Sequence, residues 1–231
     1  NIRVIGLSNS RKMVFDEKGL DLDNWKESLL SSAEKTSFAG FVKQMKELNL
    51  SNAIFIDNTA NKEIDKYYEG ILDSSISIST PNKIATSSSY AQYQTLKQTA
   101  EKRGVQFAYE TNVGAGLPLI DTIKLLHLSG ENITRIKGVF SGSLSYIFNT
   151  FSEVNAPFSQ ILKDAMHQGF TEPDPREDLS GNDVGRKLLI LARELDLQNE
   201  FSDIDVQNLI PDELQTLDFE KFMERIVYFI H

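Results

Sequence analysis

The densest collection of reactive side chains lies in Thr171 to Lys187, Thr-Glu-Pro-Asp-Pro-Arg-Glu-Asp-Leu-Ser-Gly-Asn-Asp-Val-Gly-Arg-Lys, with five carboxylates, two prolines and two glycines. Pro173 and Pro175 fix φ and bar a helix over the first half. Asp183 to Lys187 then opens onto Leu188-Leu189-Ile190-Leu191-Ala192, which reads as a buried helix. Asp183 and Lys187 are four apart and therefore share one helix face, while Glu172 and Asp178 arrive from the loop. A lysine among carboxylates can move a proton while the acids bind the ammonium of a small polar substrate. The same residues also describe a solvated loop with an i,i+4 ion pair, worth at most about 1 kcal/mol. Spacing alone leaves both readings open.

A second concentration is Asn112-Val113-Gly114-Ala115-Gly116-Leu117-Pro118, between a strand over Val105 to Tyr109 and a helix over Leu119 to Leu128. Its amides can face a carboxylate or phosphate, although a tight strand-to-helix turn uses the same residues. Glu110 beside exposed carbonyls offers oxygen ligands to a hard monovalent cation. His127, His167 and His231 lack ligand spacing and read as structural or surface residues.

These groups must be carried by elements, and the pattern for them is alternating strand and helix. Apolar runs at Ile2 to Leu7, Ala53 to Asp57, Ser75 to Ser79 and Val105 to Tyr109 read as strands. Helical spacing marks Asn24 to Ser31, Ser37 to Leu48, Lys62 to Leu72 and Ser87 to Lys102, with Gly104 as a stop. Such alternation specifies a parallel sheet covered by helices, in which ligands bind at the carboxyl ends of the strands. The polar tips Ser8 to Lys12, Asn58-Thr59, Thr80 to Lys83 and Glu110 are expected there. No Gly-x-Gly-x-x-Gly turn follows the first strand, so Ile2 to Leu7 is expected to be the second strand of a dinucleotide fold whose first βα unit lies upstream. Its tip then selects the cofactor, and Ser10, Arg11 and Lys12 favour the phosphate of NADP over the ribose hydroxyl of NAD.

Beyond Ile133 to Phe140, read as a strand, the pattern becomes mostly helical. Ser141 to Thr150, Phe158 to Gln168, Asp183 to Leu195 and Phe219 to Ile230 read as helices. The expected fold class is α/β: a truncated Rossmann-type nucleotide-binding domain over residues 1–116, then a second, mostly helical domain over 117–231.

Composition narrows the partners. The 231 residues carry 40% hydrophobic and 25% charged side chains, ordinary for a globular chain. A net charge of −9 without a basic stripe argues against nucleic acid. The absence of cysteine excludes disulfides and thiolate metal sites. No apolar run approaches the roughly 18 residues of a membrane span, so a cytoplasmic protein is expected.

Taken together, Thr80-Pro81-Asn82-Lys83, Asn112 to Pro118, Ser141-Gly142-Ser143-Leu144-Ser145-Tyr146-Ile147 and Gly169 through Lys187 resemble homoserine dehydrogenase. The likeness extends over nearly the whole chain and is nearest to the dehydrogenase half of bifunctional aspartokinase–homoserine dehydrogenases. The Glu-Pro-Asp-Pro block with its downstream Asp and Lys is its most specific part. The resemblance implies NAD(P)-linked interconversion of L-aspartate 4-semialdehyde and L-homoserine, a step toward threonine, methionine and isoleucine. It implies Lys187 as the acid/base with Asp183 beside it, and Lys83 near nicotinamide and substrate. It further implies Glu172, Asp178 and the amides around Gly114 and Gly116 as the substrate site, and Thr59 and Thr80 at the cofactor. Glu110 with the carbonyls of Val113, Ala115 and Leu117 would hold a monovalent cation such as sodium. The same likeness implies that residues 117–231 form an α+β substrate-binding and dimerisation domain, incomplete at its C-terminus, and it implies a homo-oligomer and a fused aspartokinase domain.

Two other readings compete. One is a non-catalytic dimerising or regulatory module, which the full set of acids and lysines argues against. The other is an NADP-linked oxidoreductase acting on a different amino-acid aldehyde. Calcium binding by the acidic loop is disfavoured, because Asp174, Glu177, Asp178 and Asp183 lack the alternating spacing of an EF-hand.

Overall fold

The computed structural model describes residues 2–226. The chain divides into two compact units, Asn1–Ala85 with Ala91–Tyr109, and Thr86–Tyr90 with Glu110–His231.

In the first unit, Gly6–Ser8 (β1) and Met13–Phe15 (β2) pair antiparallel, with Leu7 opposite Val14. This corrects the expectation of one long strand over Ile2 to Leu7 that joins a parallel sheet. The cause is local: the Asn9 side chain accepts from the amides of Arg11 at 2.8 Å and Lys12 at 2.9 Å, which folds the chain into a hairpin. Helices α1 (Trp25–Ser31) and α2 (Phe38–Leu48) follow. The Ser37 hydroxyl caps α2 by accepting from the Gly40 amide, and Asn49 ends it in the left-handed region at φ 43°. Between these caps the helical spacing of apolar residues turns Val42 and Met45 inward.

Ile54–Ile56 (β3), Ser77–Ser79 (β4) and Phe107–Ala108 (β5) form a parallel sheet in the order β3-β4-β5. Phe55 lies beside Ile78, and Ile78 beside Phe107. A 3-10 turn at Ile64–Tyr67 and helix α3 (Tyr68–Asp73) connect the first two strands, and α4 (Tyr90–Arg103) precedes the third. Phe55 and Ile78 pack with Val42, Met45, Tyr68, Ile71, Leu72 and Leu96. Each such buried side chain stabilises by at most about 1.5–3 kcal/mol. Because the strands are parallel, Asp57 to Thr59 and Thr80 to Lys83 emerge at the same, carboxyl end of the sheet.

The second unit is helical wherever its described residues are regular. It contains α5 (Leu119–Leu128), α6 (Gly142–Glu153), α7 (Phe158–His167), α8 (Arg176–Leu179), α9 (Asn182–Arg193), α10 (Asp212–Gln215) and α11 (Phe219–Arg225). Ile147, Phe158, Ile161, Leu162, Leu179, Leu214 and Phe222 form its core. The expected strand over Ile133 to Phe140 is not formed, since residues 131–140 carry no regular structure. A strand needs a partner for its backbone groups, and no described segment pairs with this one. Helix α8 went unforeseen inside the acidic loop. Pro175 stands at its N-cap, where a missing N–H removes no helical bond. The outer part of the expected last helix, to Ile230, and His231 lie outside the described residues. No helix among the described residues is long and apolar enough to cross a membrane.

Candidate active site

Burial of Leu189, Ile190 and Leu191 fixes the rotation of α9 about its axis. Two glycines let this helix approach its neighbours. A Cβ on Gly181, which sits at φ +76°, would come within 2.9 Å of Val206, and one on Gly185 within 3.0 Å of Phe201. In that setting Lys187 Nζ is 2.6 Å from Asp183 Oδ2 and donates at 2.7 Å to the carbonyl of Phe140. The lysine side chain is 17% exposed and the aspartate 35%, so the pair is shielded but reachable. The expected partnership of Asp183 with Lys187 is therefore present, and the Phe140 carbonyl is a further member that no sequence signal announced.

The acidic loop is held by its own residues. Asp178 Oδ2 accepts from the Glu172 amide at 2.9 Å, which closes the loop and leaves the Glu172 side chain exposed. Arg176 forks onto Asp174, its Nε lying 2.9 and 3.0 Å from the two carboxylate oxygens. It also donates to the Leu217 carbonyl at 2.6 Å and lies over the Phe222 ring. The hydrogen bonds from Arg176 hold the Asp174 carboxyl below its ordinary value. Asp174, Arg176, Asn182 and Gln215 contribute to the lining of a cavity of about 310 Å³, to which Asp183 and Lys187 do not contribute.

In the glycine loop, Gly114 at φ 82° and Ala115 at φ 52° form a tight left-handed turn, with the Gly114 carbonyl accepting from the Leu117 amide. Glu110 has a structural part as well. Its carboxylate accepts from the amides of Ile120 at 2.8 Å and Asp121 at 2.9 Å, so it caps α5. The first amides of a helix lack intrahelical acceptors and attract negative charge, and Pro118 at the N-cap has no side chain to serve them. Among the described residues no group of His, Cys, Asp and Glu is placed to hold a metal ion. Of the histidines, His127 lies 3.0 Å from Asp196 and His167 is exposed.

At the strand ends of the first unit, Thr59 is exposed, Lys83 is partly buried and Thr80 is buried. The Thr80 hydroxyl donates to the Asp57 carbonyl at 2.9 Å and accepts from the Asn82 amide. Asp57 itself was not singled out from sequence, yet it is 1% exposed. Its carboxylate accepts from the Tyr68 hydroxyl at 2.5 Å, the Thr59 amide at 2.8 Å and the Asn82 side-chain amide at 3.3 Å. Burial first, and then the Asp57 hydrogen bond, push the Tyr68 phenol well above its ordinary value, so the hydroxyl stays protonated. Of the expected cofactor-selecting residues, Ser10 and Arg11 are exposed on the hairpin turn. Lys12 is partly buried, and its ammonium donates to the carbonyls of Leu30 at 2.5 Å and Ser32 at 2.8 Å at the end of α1.

Residues 2–110 match the family described as homoserine dehydrogenase, NAD binding domain, and residues 118–226 match homoserine dehydrogenase. The chain is 42% identical over 231 residues to bifunctional aspartokinase/homoserine dehydrogenase 1, chloroplastic, of Arabidopsis thaliana, covering 99% of this chain and 25% of that protein. It is 38% identical to the homoserine dehydrogenase of Schizosaccharomyces pombe, covering 96% of this chain and 61% of that one. Among solved structures, a hyperthermophilic archaeal homoserine dehydrogenase in complex with NADPH superimposes with a TM-score of 0.69 at 26% identity, over 82% of this chain and 59% of that chain. The chain thus spans a quarter of the bifunctional relatives and about three fifths of the shorter one.

Proposed function

The chain belongs to the homoserine dehydrogenase family, and from that premise we propose that it takes part in the NAD(P)-linked interconversion of L-aspartate 4-semialdehyde and L-homoserine. The observation that carries the reading is the Lys187 ammonium held between Asp183 and the Phe140 carbonyl. An ammonium has three donor hydrogens, and two of them face these acceptors. The third is directed to the substrate oxygen.

When bound, the nicotinamide supplies or removes the hydride at the carbon that carries this oxygen. In the reducing direction negative charge grows on the aldehyde oxygen, and Lys187 stabilises it and delivers the proton that completes the hydroxyl. Asp183 keeps the Lys187 side chain oriented. Glu172 and Asp178 bind the substrate ammonium, and the amides at Gly114 and Gly116 bind its carboxylate. Lys83 acts at the nicotinamide and substrate.

The first unit is the cofactor-binding part. Its exposed residues 58–60, with the Thr59 hydroxyl among them, stand at the carboxyl end of a parallel strand, where the ribose and phosphate of a dinucleotide bind. Thr59 and Thr80 bind there, Thr80 through its backbone. The exposed Arg11 and Ser10 favour NADP, and the archaeal relative holding NADPH supports that preference. Glu110 and the carbonyls of Val113, Ala115 and Leu117 supply only hard oxygens and one negative charge, a set that fits a monovalent rather than a divalent cation. Such an ion would neutralise charge in the glycine loop. A fused aspartokinase, as in the bifunctional relatives, and a homo-oligomer in the cytoplasm complete the proposal.

The test follows nicotinamide absorbance with L-aspartate 4-semialdehyde as substrate, comparing the full-length protein with its Lys187→Ala variant. Turnover abolished by the substitution supports both the reaction and the role of Lys187. Absence of turnover in the folded full-length protein overturns the reading.

A further inference from the structure

We propose that Asp57 is a positioning residue that holds the cofactor-facing loops at the ends of β3 and β4 through three uncharged donors. The inference rests on the cofactor reading above and adds a residue to it. The carboxylate is buried at 1% exposure, directly after β3. One oxygen accepts from the Thr59 amide and so shapes the turn after β3. The other accepts from the Tyr68 hydroxyl and from Asn82 Nδ2. Asn82 extends the hold, donating to the Asn61 carbonyl at 3.0 Å and accepting from the Ile84 amide at 3.1 Å. Thr59 Oγ1 in turn accepts from the Asn61 amide at 3.1 Å. A single acceptor group therefore ties residues 57–61 to residues 80–84, the segments that present Thr59 and Lys83.

The chemistry requires a carboxylate at this position. An amide at 57 keeps one acceptor but turns an NH2 toward the NH2 of Asn82 and the hydroxyl of Tyr68. The hydroxyl can rotate to accept, whereas Asn82 Nδ2 cannot. Both loops then lose their shared anchor while the apolar core beneath them stays intact.

The test measures NADPH affinity, the KM for L-homoserine and thermal unfolding in the full-length protein and its Tyr68→Phe and Asp57→Asn variants. All binding is measured well below each unfolding temperature. Tyr68→Phe keeps the ring in the core and deletes only the hydroxyl, so it decides the matter even where Asp57→Asn fails to fold. We expect NADPH to bind about tenfold more weakly in each folded variant, with a smaller rise in the KM for L-homoserine because Lys83 alone of the tied residues reaches the substrate. A purely structural role lowers the unfolding temperature and leaves both constants of the folded protein alone. Tyr68→Phe with NADPH affinity equal to the parent's overturns the inference while the cofactor reading stands. A folded parent that binds no nicotinamide cofactor overturns the cofactor reading and the inference with it.

Discussion

Asp57 and Asp183 are the same residue in opposite circumstances. Asp57 is buried, faces uncharged donors and fixes two loops, whereas Asp183 is about one third exposed and faces an ammonium on the next helical turn. A group that works on substrate needs a partner that can exchange a proton and a path for ligand to reach it. A group that works on architecture needs every acceptor filled and solvent excluded, since an unfilled buried acceptor costs about 1–3 kcal/mol. Density of charge in the sequence points to Asp183 and passes over Asp57.

The contrast can be broken most forcefully at Lys187. Replacing it with alanine should lower turnover by about 10²–10⁴-fold with little change in unfolding temperature, measured by steady-state kinetics and calorimetry. Near-normal turnover would move Asp183 into the architectural class. The converse substitution is Tyr68→Phe, which removes a hydrogen bond to a buried carboxylate and should cost about 1.5–3 kcal/mol in denaturant unfolding. Full stability in that variant would show that Asp57 does not depend on its hydroxyl partner.

Gly185→Ala sharpens the comparison by acting on the placement of Asp183 and Lys187 without touching either. Its new methyl group meets Phe201 at 3.0 Å and Val206 at 3.1 Å. Overpacking of this kind costs about 1–3 kcal/mol, so unfolding should come earlier and turnover should drop as α9 shifts. Unchanged stability and turnover would mean that the segment carrying Phe201 and Val206 yields easily. The smallest effect is expected at Asp174. Arg176 lowers its folded pKa below the ordinary 3.8, so the pair contributes stability above about pH 4 and loses it as pH falls further. Asp174→Asn should flatten the acid limb of a stability–pH curve, and an unaltered limb would assign acid sensitivity to other carboxylates.

Much of the fold could be read from local pattern. The helical spacing in Phe38 to Leu48 and the alternation in Ser75 to Ser79 reappear as α2 and β4, because side-chain periodicity fixes which face is buried. The hairpin at Asn9 is not legible because one Asx turn outweighs an apolar run, and the capping part of Glu110 is not legible because the need of α5 for a cap is not written beside it. The pairing of Asp183 with Lys187 was legible because both lie on one helix, four residues apart. Asp57 carried only a weak signal, a lone acid at the end of an apolar strand.

The amino-acid sequence by itself determined most of the longer helices, the strands β3, β4 and β5, the acidic loop with the helix that follows it and the family likeness, since these depend on residue types at short separations. Tertiary structure alone decided that the Phe140 carbonyl receives the proton donor of Lys187, 47 residues away, and that Asn82 reaches Asp57 across 25 residues. Hydrogen bonds over such separations exist only once chain entropy has been overcome by the packing of the core, so no local pattern encodes them.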